Sequence, residues 1–499
     1  MLIASFARLA PANDVGLPAV KLATPPTIDG TIAEGEWKDA PSAEGFVDSA
    51  TGKPAEPGTF WVAYDEKYIY FAVRIKTNPK TLHATEYRSN VSLKSDDAAY
   101  IGIDPFGTGN DLNMFGINAR GASEVRIAGG RAAKREWLGE FTSAGRTTDT
   151  GYEVEARIPW SIMRLPAPGK RDVKLLVARY DPRIQRDSMW VYMPNGNQDI
   201  PVWRGVDVPR SGSARTIKLL PYLYGGWDRN GHIANGGLDL KTSITDQIDA
   251  VATFNPDFRN IENQILSLDF SYFERLASES RPFFLEGSQY FQTSMDAPLF
   301  ASQRIRQFDA GFKTFGTISD RTNFAVLDTI DFGIRNNFVG NVRHRLGPNA
   351  SVAGAVTAVA DRDGADNVAT FLSADATKNG LGLFGQYMTT RDTAVGGGHR
   401  ANTGFFYERD GWEGNLEYTE ISPSFLPRLG FAPERDFRGV SGYVEYTHPV
   451  ARGPVMEWGF GGVGREWRAF DGSQYRRGTE FSSSLTFRNG IDFDMGAQI

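Results

Sequence analysis

From about residue 215 onward, apolar and polar residues alternate with a period of two, the spacing that sends successive side chains to opposite faces of a strand. In "NNFVGNVRHRL", Phe338, Val342 and Leu346 share one face, and Asn341, Arg343 and Arg345 the other. "TEFSSSLTFR" sets Phe481, Leu485 and Phe487 against Glu480, Ser482, Ser484 and Thr486, while in "VMEWGFGG" Met456, Trp458 and Phe460 oppose Glu457 and Gly459. Turn sequences such as "LGPNAS", "DRDGADN", "TKNG" and "ERDGWEG" stand between these runs, placed for hairpins. The pattern predicts about a dozen strands of roughly nine to eleven residues, close to the length that crosses an outer membrane at a tilt. Bulky apolar residues on one face and Gly or small polar residues on the other fit a lipid wall and a lumen. The same alternation also fits a water-soluble sheet whose apolar face packs on another layer.

The preceding region, about residues 20 to 208, reads as an all-β sandwich. "GTFWVAYDEKYIYFAVRIKT" gives two strands about the turn Asp65-Glu66-Lys67. "DAAYIGIDP", "NMFGINARGASEVRI", "GYEVEARIPWSIM" and "DVKLLVARYDPR" follow, several of them apolar on both faces. "GVDVPRSGSARTIKLL" then carries the Pro, Gly and Ser of a linker, set at 209–215. The expected plan is an N-terminal arm or signal remnant (1–19), a sandwich (20–208) and, from 216 to 499, an antiparallel transmembrane β-barrel with an inserted segment at 255–300. Strands are expected to be missing at the C-terminus, because "FDMGAQI" stops in mid-pattern. The opening "MLIASFARLAPAND" has a short apolar piece ending in Ala-Pro-Ala but lacks the basic start of a full signal peptide.

Composition narrows the chemistry. The chain has 499 residues, a net charge of -6 and no cysteine, so nucleic acid is not an expected partner, and disulfides, thiolate metal sites and thiol nucleophiles are excluded. Its five histidines stand far apart, at 83, 232, 344, 399 and 448. No metal or cofactor is expected. Asp29, Glu36, Asp104 and Asp111 could offer oxygen ligands to calcium, but turn and cap roles suit them better. Glycosidase chemistry needs two facing carboxylates. Asp96 with Asp97, Glu153 with Glu155, and Asp257 with Glu262 are the available pairs, and none stands in a context that marks an acid and a nucleophile; a solvated strand face accounts for Glu153 and Glu155. No apolar run approaches the roughly eighteen residues of a membrane-spanning helix, so any membrane crossing is by strands.

"FNPDFRNIENQILSLDFSYFERLASESRPFFLEGSQYF", Phe254 to Phe291, resembles the signature of a bacterial family of uncharacterised proteins, the DUF5916 type, predicted to be outer-membrane barrels. "SPSFLPRLGFAPERDFRG", Ser422 to Gly439, is similar to a later loop of that family. The N-terminal region resembles the family 9 carbohydrate-binding module: "TIDGTIAEGEW" looks like its opening strand and first turn, and "FWVAYDEKYIYFAVRI" like its central hairpin. In "SLKSDDAAYIGID", however, Leu93 stands where sugar-binding members have a Trp, and Ala99 where they have a Glu. The resemblance implies that Trp203, followed by Arg204 in "PVWRGVDVP", is the second stacking ring.

Flat rings hold sugars by stacking on the apolar face of a pyranose while polar neighbours take its hydroxyls. Trp61, Trp137, Trp160, Trp190 and Trp203 are the candidate rings, with Trp37 and Trp61 read as core residues in strands. The expected ligand-contacting set is Trp203, Arg204, Asp96, Asp97 and Trp137. In the second region, Glu274, Arg275, Arg281 and Glu286 surround the apolar knot Phe283-Phe284-Leu285 and break the alternation. Such charges are tolerable in a lumen and costly against lipid, which predicts an inward-folded plug or constriction; a bridge between two strands is the alternative.

The function expected is that of an outer-membrane barrel in a Gram-negative cell, contacting lipid, whose sandwich recognises a glycan that the protein binds or passes without catalysis. The alternatives are a secreted carbohydrate-active protein that hydrolyses glycosyl bonds, and a structural envelope protein without sugar binding.

Overall fold

Two units divide the chain, Met1–Gly212 and Ser213–Ile499. The computed structural model describes residues 15–498 apart from 50–51, 108, 110–111, 128–140, 164, 194–198, 211–216, 229–230, 246, 257–278, 280, 294–296, 320, 348, 451–452 and 488–490.

The first unit holds β1 (Gly16–Pro18), β2 (Ser42–Glu44), β3 (Val47–Asp48), β4 (Gly58–Tyr64), β5 (Tyr68–Lys76), β6 (Ala98–Asp104), β7 (Asn113–Asn118), β8 (Ser123–Arg126), β9 (Thr142–Thr148), β10 (Gly151–Pro159), β11 (Gly169–Asp181), β12 (Arg186–Met189) and β13 (Val202–Val208). One sheet runs β2-β4-β5-β10-β9; the other runs β1-β13-β11-β6-β7-β8, with β12 beside β11 and β3 beside β12. Their facing side chains, among them Phe60, Phe71, Val73, Ile101, Phe115, Val154, Val177 and Trp203, make the main core. The turn between β4 and β5 forms as read, because the Asp65 carboxylate accepts from the backbone N–H groups of Lys67 and Tyr68, both at 2.7 Å.

Strand β5 is apolar on both faces for a physical reason. Ile69, Phe71, Val73 and Ile75 enter the main core, while Tyr70 and Ala72 lie under a strap that contributes Leu22, Ile32, Trp37 and Ala40. That strap corrects the reading of "TIDGTIAEGEW" as a strand and of Trp37 as a strand residue: Trp37 closes a one-turn helix, Glu34–Trp37, and is buried.

The second unit is a single antiparallel sheet in up-and-down order. Its strands are β14 (Lys218–Asp228), β15 (Gly231–Thr245), β16 (Ile248–Phe254), β17 (Ala310–Ser319), β18 (Thr322–Asp331), β19 (Arg335–Gly347), β20 (Ala350–Asp361), β21 (Asn367–Lys378), β22 (Leu381–Asp392), β23 (Gly396–Arg409), β24 (Trp412–Ile421), β25 (Phe437–Pro449), β26 (Val455–Arg468), β27 (Gln474–Phe487) and β28 (Asp492–Gln498). Each pairs with the next, and among the described residues the wall stays open between β14 and β28. The strands at one end are joined by short turns, including 379–380 and 410–411; the opposite end carries the two long connections, 255–309 and 422–436.

The two faces of this sheet invert the usual order. Phe312, Phe338, Val342, Leu372, Leu383, Phe405, Leu416, Val444, Phe460 and Phe481 are exposed, with Leu372 at 65%. Lys313, Thr329, Asn337, Asn341, Thr357, Asn367, Thr390, Arg400 and Asn402, which alternate with them, are buried. Rings gather on the exposed face at the short-turn end, where Trp412 lies 4.8 Å from Tyr446 and 5.9 Å from Phe460, and Tyr446 lies 5.6 Å from Trp458.

Candidate functional site

In the first unit, the face of β10 beneath the strap carries Glu153 and Glu155, both buried. They do not lie on a solvated face as the sequence suggested. Glu155 accepts from the Trp37 indole N–H at 2.8 Å and from the backbone N–H groups of Gly30 at 2.8 Å and Asp29 at 3.2 Å. Glu153 accepts from Arg74 and Arg146, both at 2.7 Å, and from the backbone of Ile32 at 3.4 Å. Burial pushes the Glu155 carboxyl above its ordinary range. Burial alone would also raise Glu153, but the guanidinium groups of Arg146 and Arg74 pull it below that range. Glu155 holds the strap, and Glu153 joins the strap backbone to Arg74 and Arg146. Asp29 and Asp104 act as turn residues, accepting from Thr31 N–H at 2.8 Å and from Gly109 N–H at 2.6 Å.

Asp96 and Asp97 are buried and bonded within the fold. Asp96 accepts from the N–H groups of Thr85 and Glu86, both at 2.9 Å, from the Thr85 hydroxyl at 2.8 Å and from the Asn118 amide at 2.7 Å. Burial would raise its carboxyl, and these bonds hold it below the ordinary range. Asp97 accepts from His83 N–H at 2.9 Å and from buried Arg179 at 3.0 Å; burial nonetheless leaves it raised. Arg179 also reaches Glu56 at 2.5 Å and Asp181 at 3.4 Å, which satisfies a cation that would otherwise be costly so deep.

Trp203 overturns its assignment as a surface ring. It is 0% exposed and packs edge-on against Tyr64, with ring centroids 5.6 Å apart. Strand parity is the reason: Arg204, its neighbour on β13, faces solvent, so Trp203 must face the core. Leu93 and Ala99 are also fully buried, and Trp160 joins the main core. Trp190 is half-buried and packs 5.1 Å from Phe60, and Trp61 lies under the Arg74 guanidinium at 5.6 Å. Trp137, Asp111, Asp257, Glu262, Glu274 and Arg275 lie outside the described residues.

The ring that the described part of the sandwich does present is Tyr87, 79% exposed. Asp96 pins the stretch before it, and Glu86 is locked to Arg88 at 2.6 Å, which lowers its carboxyl to about 2. Sequence reasoning passed over Tyr87 because it searched for Trp; the available signal was a Tyr between Glu and Arg in a loop, outside any alternating pattern.

In the second unit the segment around "RPFFLEG" packs on the face of the sheet that carries Lys313 and Asn341 together with Phe315, Leu327 and Val339. Phe283 and Phe284 are buried in a cluster with Phe291, Phe308, Phe315, Leu327, Val339 and Leu429. Arg281 covers the Phe284 ring at 4.2 Å, pairs with Glu279 at 2.6 Å and donates to the carbonyls of Ser302 at 2.8 Å and Ile305 at 2.5 Å. Glu286 is buried and pairs with Lys241 of β15, while Lys313 of β17 donates to the carbonyls of Phe283 and Glu286. Gly287 has φ +68°, and a Cβ there would collide with the Phe315 ring, so this close approach requires glycine. Asn341 of β19 donates to the carbonyls of Tyr290 at 2.7 Å and Gln292 at 3.2 Å. The second long connection meets the first: Ala301 N–H donates to Leu429 at 2.7 Å, and Phe431 N–H to Pro298 at 2.9 Å.

Comparison with known proteins divides along the same lines. Residues 28–198 match the family model described as carbohydrate family 9 binding domain-like, and residues 216–326 match the domain of unknown function DUF5916. Among solved structures, a carbohydrate binding module family 9 from Caldicellulosiruptor kristjanssonii in complex with cellotriose is 16% identical, covers 40% of this chain and 98% of its own, and has a TM-score of 0.29. The outer membrane protein OprD from Pseudomonas aeruginosa is 10% identical over 92% of each chain, with a TM-score of 0.26. OccK3 (OpdO) of the same organism is 8% identical over 92% of this chain and 94% of its own, with a TM-score of 0.29. No curated protein matches.

Proposed function

We propose that this chain, a carbohydrate family 9 binding domain-like sandwich followed by a DUF5916 region, is an outer-membrane barrel protein of a Gram-negative cell that recognises a glycan and admits or passes it without chemistry. The observation that carries the membrane reading is the inversion in the second unit. Large apolar side chains are exposed strand after strand, and from β17 to β24 polar side chains that alternate with them are buried, among apolar ones such as Phe315, Leu327 and Phe371. In water that arrangement would forfeit the hydrophobic stabilisation of every exposed side chain; against lipid it is the favourable one. The ring cluster around Trp412, Tyr446 and Trp458 at one end of the exposed face has the position of an interfacial aromatic girdle. The test is fractionation of the protein, expressed with its native flanking sequence, together with its mobility on a gel with and without heating. Outer-membrane fractionation with heat-modifiable mobility is the expected result; a soluble monomer would overturn the reading.

The glycan half of the proposal is supported by the family 9 match, with Tyr87 as the ring that meets the sugar. Tyr87→Ala is expected to weaken retention on polysaccharide at least tenfold without lowering the thermal midpoint of the sandwich. Unchanged retention would remove Tyr87 from the site. Glu153 and Glu155, one of the carboxylate pairs available for hydrolysis, are engaged with the strap and with Arg74 and Arg146.

A further inference from the structure

We propose that an arginine-rich cavity at the long-connection end of the second unit binds an oxyanion group, the carboxylate or sulfate of an acidic saccharide. The cavity, about 740 Å³, lies between residues 303–307, the β18–β19 turn and residues 426–435. Arg304, Arg306, Arg335, Arg428 and Arg435 line it, and Asp331 is the acid among its lining residues. Two further carboxylates stand behind the arginines. Asp392 takes Arg428 at 2.5 and 3.2 Å, and Asp361 lies 3.8 Å from Arg335. Five guanidinium groups thus face three carboxylates, and two positive charges remain.

The surplus falls on identifiable residues. Arg304 is held by the Gly430 carbonyl at 3.0 Å, and Arg335 by Asn337 at 2.8 Å. Arg306 and Arg435 are exposed, and among the described residues neither has a carboxylate partner. Arg335 and Arg428 are near enough to repel each other. Holding like charges around a partly enclosed space is unfavourable until an anion enters, and the planar guanidinium fork matches the two oxygens of a carboxylate or sulfate. The cavity also lies where both long connections meet the sheet, the end that faces outward in barrels of this kind. The saccharide assignment rests on the glycan reading above; the oxyanion assignment rests on the cavity alone.

The test uses the full chain in detergent, titrated calorimetrically with sodium sulfate, an oligogalacturonate and a neutral cello-oligosaccharide, for wild type and for the Arg306→Gln/Arg435→Gln double variant. Because both side chains are exposed and lack carboxylate partners, the double variant should keep its heat-modifiable mobility. The expected result is that oligogalacturonate binds, sulfate competes with it, added salt weakens it, and the double variant loses at least tenfold in affinity for both anions while its response to the neutral sugar is unchanged. Equal anion affinity in wild type and variant, or no binding of either anion at millimolar concentration, would overturn the site. Sulfate binding lost in the variant, with no response to oligogalacturonate, would keep the oxyanion site and overturn its assignment to a saccharide. Failure of the neutral sugar alone would count against the sandwich and not against the cavity.

Discussion

Glu153 and Glu155 sit two residues apart on one face of β10, yet their pH responses run in opposite directions. Glu153 is held below its ordinary range, so its stabilisation is present above the unfolded carboxylate pKa and is lost as pH falls through the lower folded value. Glu155 is raised, so its contribution is fullest below the unfolded pKa and declines as pH rises through the folded one. Glu153→Gln is therefore expected to cost about 1.5 to 3 kcal/mol at pH 7, the worth of charge-assisted hydrogen bonds to partly exposed partners, and to cost progressively less as the medium is acidified. Urea unfolding of residues 15–210 at pH 7 and pH 3 measures this, since among the described residues the core clusters of that unit contain only its own residues. A loss independent of pH would show that the two arginines do not act through the Glu153 charge. Trp203→Ala belongs to the same assay: emptying so large a buried site should cost about 3 to 5 kcal/mol.

At the scale of elements, the strands of the second unit make a prediction for each face. Leu372 lies mid-strand on β21, exposed between Gly354 of β20 and Tyr387 of β22. Leu372→Arg should destabilise the folded protein in lipid by about 2 to 4 kcal/mol, the cost of a cation near a bilayer midplane, whereas the same change in a soluble sheet would be nearly neutral. Unfolding titrations in vesicles distinguish these. On the opposite face, the inward segment is fixed by Glu286 to Lys241, by Lys313 to two carbonyls and by Arg281 to Glu279. Deleting Arg281–Gly287 should raise single-channel conductance in a planar bilayer if the segment obstructs the lumen. Unchanged conductance in a variant with normal heat-modifiable mobility would reduce the segment to a bridge between β16 and β17.

For the whole molecule, strand parity sets an orientation that side chains alone do not. Strand β14 starts at Lys218 on the short-turn end, and the long connections 255–309 and 422–436 both leave the opposite end. In outer-membrane barrels short turns face the periplasm and long loops the exterior, so the chain before Lys218 is expected on the periplasmic side. A protease site inserted at residues 211–216 should stay uncut in intact cells and be cut after the outer membrane is permeabilised; cleavage in intact cells would reverse the orientation.

The sequence by itself determined the period-two strands, their faces and the change of texture between the two units, because side-chain alternation and turn chemistry are local properties of the backbone. "NNFVGNVRHRL" already separates Phe338, Val342 and Leu346 from Asn341, Arg343 and Arg345, and the structure exposes the first set and buries Asn341. Burial and long-range partnership were decided only by the tertiary structure. Glu153 and Glu155 became internal because a strap 118 residues or more away in sequence folds over them. Trp203 went inward because its neighbour on the strand went outward. The two signature stretches "RPFFLEG" and "FLPRLGF" share one face of the sheet, with Leu429 in the same buried cluster as Phe283 and Phe284, and the arginine cavity forms where residues 303–307 meet residues 426–435. A sequence states which residues are adjacent along the chain; which charges share a space depends on where connections as long as 255–309 return, and that is set by the packing of the whole unit.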